Sequence, residues 1–290
     1  MNATLVGLHS YPIKSCGALD WTVAAVTAAG LALDRQWMLV SEDGRFMTQR
    51  QWPAMALVRP VLRENALWVG APGMPELRVA ALDEAPPEGP ARTLTVWRDN
   101  VPGQDAGAEA AAWFSNALGE PCRLYRLHPQ ARRLASPEHV TAWRLRHGQA
   151  VPELGSRHAF GFADGFPLLV ASQDSLRELN ARLARQGHAP VPMDRFRPNV
   201  VIEGLEPYDE DHVAWLRCGQ VVLALVKPCS RCTVPDVDQA SGLRGEEPGR
   251  TLAAYRRRQE GVMFGQNAVA HAPAGAVLAV GEPVRAEFAF

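Results

Sequence analysis

Two cysteines in a C-x-x-C spacing are the local feature of this sequence with the clearest chemical potential. Cys229 and Cys232 come just after the apolar run at residues 221–226, which is typical of a strand buried on both faces. A structural zinc site needs four ligands and usually takes them from two such pairs. The sequence has no second pair, since the remaining cysteines are isolated: Cys16, Cys122 and Cys218. The spacing therefore does not predict structural zinc.

A redox-active pair of the thioredoxin type is also not expected at this position. Such a pair opens a helix in a β-α-β setting, whereas here Pro235 follows closely and the surrounding pattern is that of strands. Two interpretations stay open. One thiolate is a metal ligand or nucleophile, favoured by the flanking cations Lys227 and Arg231. Alternatively, both thiols are small apolar side chains at the end of a strand.

Two further segments carry groups that suit an anion. In the run F-R-P-N, Arg197 precedes a proline, which favours an extended backbone, and Asn199 leads into a predicted strand at 200–202. A guanidinium and an amide at the start of a strand can bind a phosphate or the edge of a heterocycle. A solvated loop is the alternative.

The other segment is the run Y-P-I-K-S-C-G near the N-terminus, which places Lys14 and Ser15 beside a glycine. Such a loop can present N–H groups and a cation to phosphate, but the Walker spacing is absent, and an ordinary turn is the alternative. Arg35 follows Asp34 directly, so it either forms an ion pair with that carboxylate or binds a ligand.

Composition and motifs exclude several classes of function. The 290 residues are 47% hydrophobic and 21% charged with a net charge of −1, which indicates a packed protein without nucleic-acid or membrane binding. The longest aliphatic run is far shorter than the roughly 18 residues that span a bilayer. An odd count of five cysteines and no visible signal peptide lead us to expect a cytoplasmic location with reduced thiols. Neither H-E-x-x-H nor G-x-S-x-G occurs, so hydrolase chemistry has no support.

The elements that must position these groups are mostly short strands. We predict a hairpin of strands 35–40 and 45–50 around an E-D-G turn, strands at 55–62 and 67–69, loops over 70–90, a helix at 108–118 and a strand at 122–127. Residues 128–160 look like a connector or a loop over a site. Strands follow at 168–171, 200–202, 214–216, 221–226, 276–280 and 284–288, with helices at 173–183, capped by Ser172, and 251–258. The fold class is mainly β with some α (α+β).

The motifs together resemble one family. Y-P-I-K-S, L-D-R-Q-W with its E-D-G turn, S-Q-D-S-L-R-E-L-N, F-R-P-N-V-V-I, K-P-C-S-R-C, T-L-A-A-Y-R, F-G-Q-N and V-G-E-P-V occur in this order over residues 3–287. This order resembles MOSC-domain proteins that carry the N-terminal MOSC β-barrel domain, of the bacterial YcbX and mitochondrial amidoxime reducing component type. The resemblance implies a β-rich N-terminal domain over residues 1–125 and a MOSC β-barrel domain over 130–290.

The resemblance also implies a cofactor and a set of site residues. Family members hold molybdenum on a pterin dithiolene (molybdenum–molybdopterin) with one protein cysteine as ligand, which matches Cys232, and a soft thiolate suits such a centre. Cys229 would then be structural. The positions expected to hold pterin or phosphate are Lys14, Ser15, Arg35, Ser172, Arg197, Asn199, Ser230 and Arg231.

The implied reaction is the reduction of N-hydroxylated compounds such as amidoximes, hydroxylamines and N-hydroxylated purines. Asp238 matches an acidic position of the family, as a proton relay or a loop-ordering residue. Pro235 and Asp236 replace two threonines in a loop expected over the metal, which would alter the range of substrates. No ferredoxin motif follows, so a separate flavoprotein or iron–sulfur protein is the expected electron donor. The alternative function is a non-catalytic carrier of the cofactor or of sulfur, although in cofactor sulfurases the MOSC domain accompanies a pyridoxal-dependent domain.

Overall fold

The computed structural model describes residues 1–81, 84 and 91–289, and strands dominate this part of the chain. Its strands are β1 Asn2–Ser10, β2 Leu19–Asp20, β3 Val23–Thr27, β4 Gly30–Leu31, β5 Trp37–Ser41, β6 Arg59–Arg63, β7 Ala66–Gly70, β8 Leu77–Ala81, β9 Arg92–Val96, β10 Asp99–Asp105, β11 Cys122–Leu127, β12 Arg133–Leu134, β13 Ala159–Phe160, β14 Leu168–Ser172, β15 Val200–Glu203, β16 Val213–Cys218, β17 Val221–Arg231, β18 Arg257–Arg258, β19 Gly261–His271, β20 Val277–Ala279 and β21 Pro283–Phe288. Its helices are α1 Ala108–Leu118, α2 Pro137–His147, α3 Gln173–Arg185 and α4 Gly249–Tyr255. The predicted class, mainly β with some α, is confirmed.

Seven strands close into a barrel. They follow the order β14-β15-β1-β21-β16-β17-β19, and β14 pairs again with β19 to complete the ring. Aliphatic side chains fill the interior, among them Leu5, Ile202, Leu216, Leu223 and Val284. A barrel of this size has no room for more than its own side chains. Strand β1 is part of the ring, so the first ten residues of the chain complete a barrel made otherwise from residues beyond 168.

Strands β3 and β4 form a sheet with β20 and pack on the barrel core, whereas residues 37–127 form a smaller unit built on the sheet β5-β11-β10-β9. Every residue of β5 is buried, because alternate side chains enter two different cores. Trp37 and Leu39 pack in the core that α1 covers. Met38 and Val40 face the opposite side, where they pack with Phe162 from the barrel half of the chain. This second core joins the two halves.

The structure corrects several predicted elements of the N-terminal half. One edge of β5 pairs with β11. On its other edge the predicted hairpin forms only over residues 45–47: the Ser41 amide donates to the Arg45 carbonyl at 2.9 Å, the Met47 amide donates to the Leu39 carbonyl at 2.8 Å, and Val40 bridges Phe46 between them. Residues 48–50 leave the hairpin because Thr48 and Gln49 are buried elsewhere, where the Gln49 side chain donates to the Ser15 carbonyl at 2.8 Å. Residues 53–57 form a 3-10 helix before β6. Within the predicted loops at 70–90 lies β8, and residues 82, 83 and 85–90 are outside the described residues.

The C-terminal half also departs from prediction. The expected connector at 128–160 contains α2, whose weak apolar stripe buries only Val140 and Trp143. The predicted helix at 251–258 ends at Tyr255 and gives way to β18. The long strand β19 was not predicted at all, since its alternation of polar and apolar residues is interrupted. In the described part of the chain, no helix is long and apolar enough to cross a membrane.

Candidate active site

A cleft of about 140 Å³ lies where the smaller unit meets the open end of the barrel. Three loops bring polar groups to it: the loop after β1, the turn before β5, and the turn before β15. The end of β17 and the loop after β13 complete its wall. Its side chains with chemical potential are Lys14, Ser15, Arg35, Asp164, Arg197, Asn199, Cys229, Arg231 and Cys232. Seven of the residues expected from the resemblance therefore lie in one cleft: Lys14, Ser15, Arg35, Arg197, Asn199, Arg231 and Cys232.

The two thiols differ in their surroundings. Cys232 is exposed, whereas Cys229 is half-buried, with the Arg231 guanidinium 3.0 Å from its sulfur. Arg231 also donates to the Phe196 carbonyl at 2.7 Å, which holds its side chain in the cleft wall. Lys227, expected to flank the pair, lines a separate cleft beside α2. Both thiols line the cleft; Cys232 is the more exposed of the two, and the guanidinium lies against Cys229.

Two guanidiniums lie against one buried tyrosine. The central carbons of Arg35 and Arg197 are 4.3 and 4.2 Å from the ring centroid of Tyr11. Arg35 forms the ion pair with Asp34 that the sequence allowed, at 2.5 Å, and it also lines the cleft. Burial lowers the pKa of Arg197 to about 10, which leaves it charged at neutral pH. Its Nη2 is buried and has no hydrogen-bond partner among the described residues.

Lys14 is the third cation of the cleft and the most enclosed. Its ammonium donates to the Phe162 carbonyl at 2.9 Å and to Asp164 Oδ1 at 2.5 Å. Burial lowers the pKa of Lys14, and the neighbouring Asp164 carboxylate partly offsets this. The same carboxylate oxygen accepts the indole N–H of Trp97 at 3.0 Å. The loop after β13 is therefore tied to both the first strand and the smaller unit.

Three of the cleft residues have left-handed backbones. The φ angles are 67° at Ser15, 48° at Arg35 and 55° at Arg197. For Arg197 this overturns the extended conformation expected before a proline, because its amide ends a 3-10 turn by donating to the Asp194 carbonyl at 3.1 Å. Non-glycine residues held in this region are concentrated at functional sites.

Asn199 lines the cleft, but its side-chain amide is fully engaged in hydrogen bonds that connect neighbouring strands and Asp34. Its oxygen accepts the Leu169 amide at 3.0 Å, and its nitrogen donates to the His9 carbonyl at 3.0 Å and to Asp34 at 2.9 Å. With both amide hydrogens engaged, Asn199 orients the strands and the Asp34 carboxylate around the cleft.

Sequence comparisons decide the family. The MOSC N-terminal beta barrel domain matches residues 2–121 and the MOSC domain matches residues 157–285. Mitochondrial amidoxime-reducing component 1 of Mus musculus is 33% identical over 259 residues, covering 87% of this chain and 71% of that protein. This chain belongs to the MOSC-domain family. Mitochondrial amidoxime reducing component 2 of Homo sapiens is 31% identical over 87% of this chain and 72% of its own length.

A relative of a different name also matches. The molybdenum cofactor sulfurase of Oryza sativa subsp. japonica is 31% identical over 88% of this chain, which spans 31% of that longer protein. The names of both kinds of relative refer to molybdenum-cofactor or amidoxime chemistry. These names support a role related to the molybdenum cofactor for this MOSC protein.

The structure does not bring two of the expected serines to the cleft of the MOSC protein. Ser172 is buried and caps α3, where its oxygen accepts the amides of Asp174 and Ser175. Ser230 points to the opposite side of β17 and donates to the Glu260 carbonyl at 2.9 Å. Because adjacent residues of a strand face opposite sides, Ser230 points away while Cys229 and Arg231 line the cleft.

The acidic residues after the cysteine pair also lie elsewhere. Asp238 lines a separate cleft, pairs with Arg195 at 2.6 Å and accepts the Ser241 amide at 2.8 Å. Asp236, expected over the metal, instead accepts the Gly249 amide at the start of α4. Of this loop, Val234 is the residue that reaches the candidate active site. Pro235 and Asp236, which were expected to alter the range of substrates, do not line this cleft.

Sequence reasoning missed two polar residues of the site. Asp164 stands in an A-D-G turn, a composition that marks a loop but no function. Arg133 is buried and donates to the Gly161 and Ala163 carbonyls at 2.7 and 2.6 Å, so it fixes the loop that carries Asp164. Its only signal was its place in an arginine-rich stretch.

The donor set fits an anionic cofactor that brings its own metal ligands. Over residues 1–81, 84 and 91–289, no group of three or more His, Cys, Asp or Glu side chains is arranged to hold a metal. The cleft instead offers one exposed thiol and four cations: Lys14, Arg35, Arg197 and Arg231. The buried Nη2 of Arg197 without a partner is a donor that a phosphate or pterin oxygen would satisfy.

Proposed function

We propose that this chain binds molybdenum–molybdopterin in the cleft and reduces N-hydroxylated compounds such as amidoximes, hydroxylamines and N-hydroxylated purines. The observation that carries the proposal is the exposed Cys232 thiol in a cleft with four cations and two unpartnered buried guanidinium nitrogens, Arg197 Nη2 and Arg231 Nε. Relatives named as amidoxime-reducing components support the reaction class.

Each residue has a role that follows from its chemistry. Cys232 supplies the soft thiolate ligand that molybdenum prefers. Arg197 and Arg231 bind anionic oxygens through their planar forks, and Lys14 adds a compact charge. The hydroxyl of Ser15 adds a donor at the same edge of the cleft. When bound, the cofactor supplies the two-electron redox centre.

The chain must also handle protons and receive electrons. Reduction of an N–O bond to water consumes two protons, and Lys14 holds one at its Nζ, 2.5 Å from Asp164. The electron donor in this proposal is a separate flavoprotein or iron–sulfur protein, as the family resemblance implies.

Metal content tests the ligand assignment. The wild type, Cys232→Ala and Cys229→Ala are produced with molybdate in a host that makes the cofactor, and molybdenum is measured by mass spectrometry. We expect stoichiometric metal in the wild type and in Cys229→Ala, and loss in Cys232→Ala. Cys218→Ala is the matched control, because that thiol is buried in the barrel core. Loss from Cys229→Ala alone would move the ligand three residues upstream.

Turnover distinguishes the reductase from a carrier. The loaded wild type is given benzamidoxime and a chemically reduced viologen dye, and benzamidine is measured by chromatography. Product formation that disappears with Cys232→Ala is the expected result. A protein that holds stoichiometric cofactor but forms no product with any N-hydroxylated substrate would instead be a cofactor or sulfur carrier, as the sulfurase relative allows.

A further inference from the structure

A second and larger cleft, of about 810 Å³, opens on the smaller unit beside the candidate active site. Its wall includes three aromatic side chains, Phe46, Trp52 and Trp97, with Arg50 among them. Neither the motifs nor the proposed cofactor contacts give these residues a role. A cleft of this volume is within the range that encloses small organic molecules.

The two clefts share a wall. The Trp97 indole N–H donates to Asp164 at 3.0 Å, and the same oxygen accepts the Lys14 ammonium. The ammonium also lies 5.4 Å from the ring centroid of Phe46. A molecule on the aromatic side of this wall is therefore one side chain away from the cations of the candidate active site.

Trp97 is held in an unusual conformation. It is 46% exposed, and it occupies a two-residue hairpin turn between β9 and β10 with φ at 58°. Such turns normally take Asn or Gly, because other side chains are strained there. An exposed, strained tryptophan whose ring nitrogen is fixed by Asp164 is typical of a functional contact.

The indole already binds a flat, nitrogen-rich group. The guanidinium carbon of Arg50 lies 4.7 Å from the Trp97 ring centroid. The Phe46 ring packs against the same indole at 5.1 Å with an interplanar angle of 65°. These contacts leave a ring system that accepts planar groups by stacking or edge contact.

We propose that this second cleft is the substrate-recognition subsite and that the Trp97 indole binds the aromatic part of an N-hydroxylated aryl compound, such as an arylamidoxime. The N–OH end then points to the wall formed by Asp164 and Lys14. The proposal rests on the proposed function. It commits to aryl rather than alkyl substrates, because an alkyl group gains nothing from the face of an indole beyond burial.

The experiment compares benzamidoxime with acetamidoxime, which carry the same reacting group on an aromatic and an aliphatic body. KM is measured for both on the loaded enzyme, and binding is measured on the protein by saturation-transfer NMR. For Trp97→Ala we expect the ratio of the benzamidoxime KM to the acetamidoxime KM to rise about 3- to 10-fold, because the lost hydrogen bond to Asp164 affects both substrates whereas the lost ring affects only the aryl one. Trp97→Phe, which keeps a ring without the N–H, should recover part of the benzamidoxime affinity. Molybdenum content should stay at the wild-type level.

The matched control is Trp68→Ala. Trp68 has an arginine over its ring in the same way, with Arg63 at 5.1 Å, but it lines neither cleft. Equal KM values for benzamidoxime in Trp97→Ala and the wild type would overturn the proposal, as would an equal loss for both substrates. NMR binding of benzamidoxime that depends on Trp97 in a protein without turnover would uphold the subsite while the proposed function fails. Turnover of benzamidoxime that does not depend on Trp97 would uphold the proposed function and overturn the subsite.

Discussion

Replacing Asp34 by Asn tests the charge network beneath the cleft. Asp34 is 3% exposed. Its carboxylate accepts the Tyr11 amide and the Asn199 amide at 2.9 Å each, and the Arg35 guanidinium at 2.5 and 2.6 Å. An asparagine keeps one acceptor oxygen but turns an N–H₂ group toward donors, so at least one of these contacts becomes repulsive.

The expected magnitude follows from burial. The Arg35 side chain is only 14% exposed, so it loses its counter-charge in a place where water replaces it poorly. Removing one partner of a buried ion pair costs about 3–5 kcal/mol, and this site is open to the cleft on one side. We expect the free energy of unfolding to fall by about 3 kcal/mol. Arg35 and Asn199 also lose their common anchor, so the variant should retain less molybdenum.

Urea unfolding of the cofactor-free protein at neutral pH measures the first effect. Asp20→Asn is the matched control, because Asp20 also pairs with one basic side chain, His9 at 2.6 Å, but is 81% exposed. An exposed pair contributes less than about 1 kcal/mol. If Asp34→Asn loses no more stability than Asp20→Asn, the ion pair does not organise the cleft and the reasoning is wrong.

Three further predictions concern single side chains. Burial raises the pKa of Glu210 to about 7, although the Ser175 hydroxyl donates to its carboxylate. The folded protein favours the protonated carboxyl, so the contribution of this group to stability is fully present below about pH 4.5 and is lost as the pH rises through 7. The free energy of unfolding of Glu210→Gln relative to the wild type, measured in urea, should therefore rise by about 3 kcal/mol between pH 4 and pH 8. A difference that does not change with pH would contradict the raised pKa of the buried carboxyl. Arg197→Met should keep the cofactor-free protein folded but lose molybdenum on gel filtration, and wild-type metal retention would remove Arg197 from the cofactor site. Asp238→Asn should lower Tm, because Asp238 pairs with Arg195 and orders its own turn, yet leave turnover per molybdenum unchanged; a fall in turnover would restore a proton-relay role.

Elements governed by local rules were predictable from the sequence. Helix α1 was predicted over its observed bounds, since Trp113 and Phe114 face one core and Gly119 ends it in a left-handed conformation. Helix α3 follows from the Ser172 cap and a clear leucine stripe. Helix α2 lacks such a stripe, and the pairing of β5 with β11 joins strands that are distant in sequence, which no local pattern reveals.

The residues of the candidate active site also divide into those that the sequence could predict and those that it could not. The family resemblance brought Lys14, Arg35, Arg197 and Cys232 together, although no spacing rule relates residues from opposite ends of the chain. Asp164 could not be predicted, because its partners come from two other segments of the chain. Nor could single-residue patterns tell which side of β17 would face the cleft.

The left-handed residues explain how a cleft made of loops keeps a defined shape. A strained backbone costs about 1–3 kcal/mol per residue and persists only where surrounding contacts hold it. At Arg35 these contacts are visible: its amide donates to the Tyr11 carbonyl at 2.9 Å, and its carbonyl accepts the Phe162 amide at 2.7 Å. Gly161 makes the second contact possible, because a side chain there would collide with the Arg35 carbonyl. The barrel half thus holds the turn of the smaller unit in the conformation that directs Arg35 to Asp34, so the cation cluster depends on both halves of the chain.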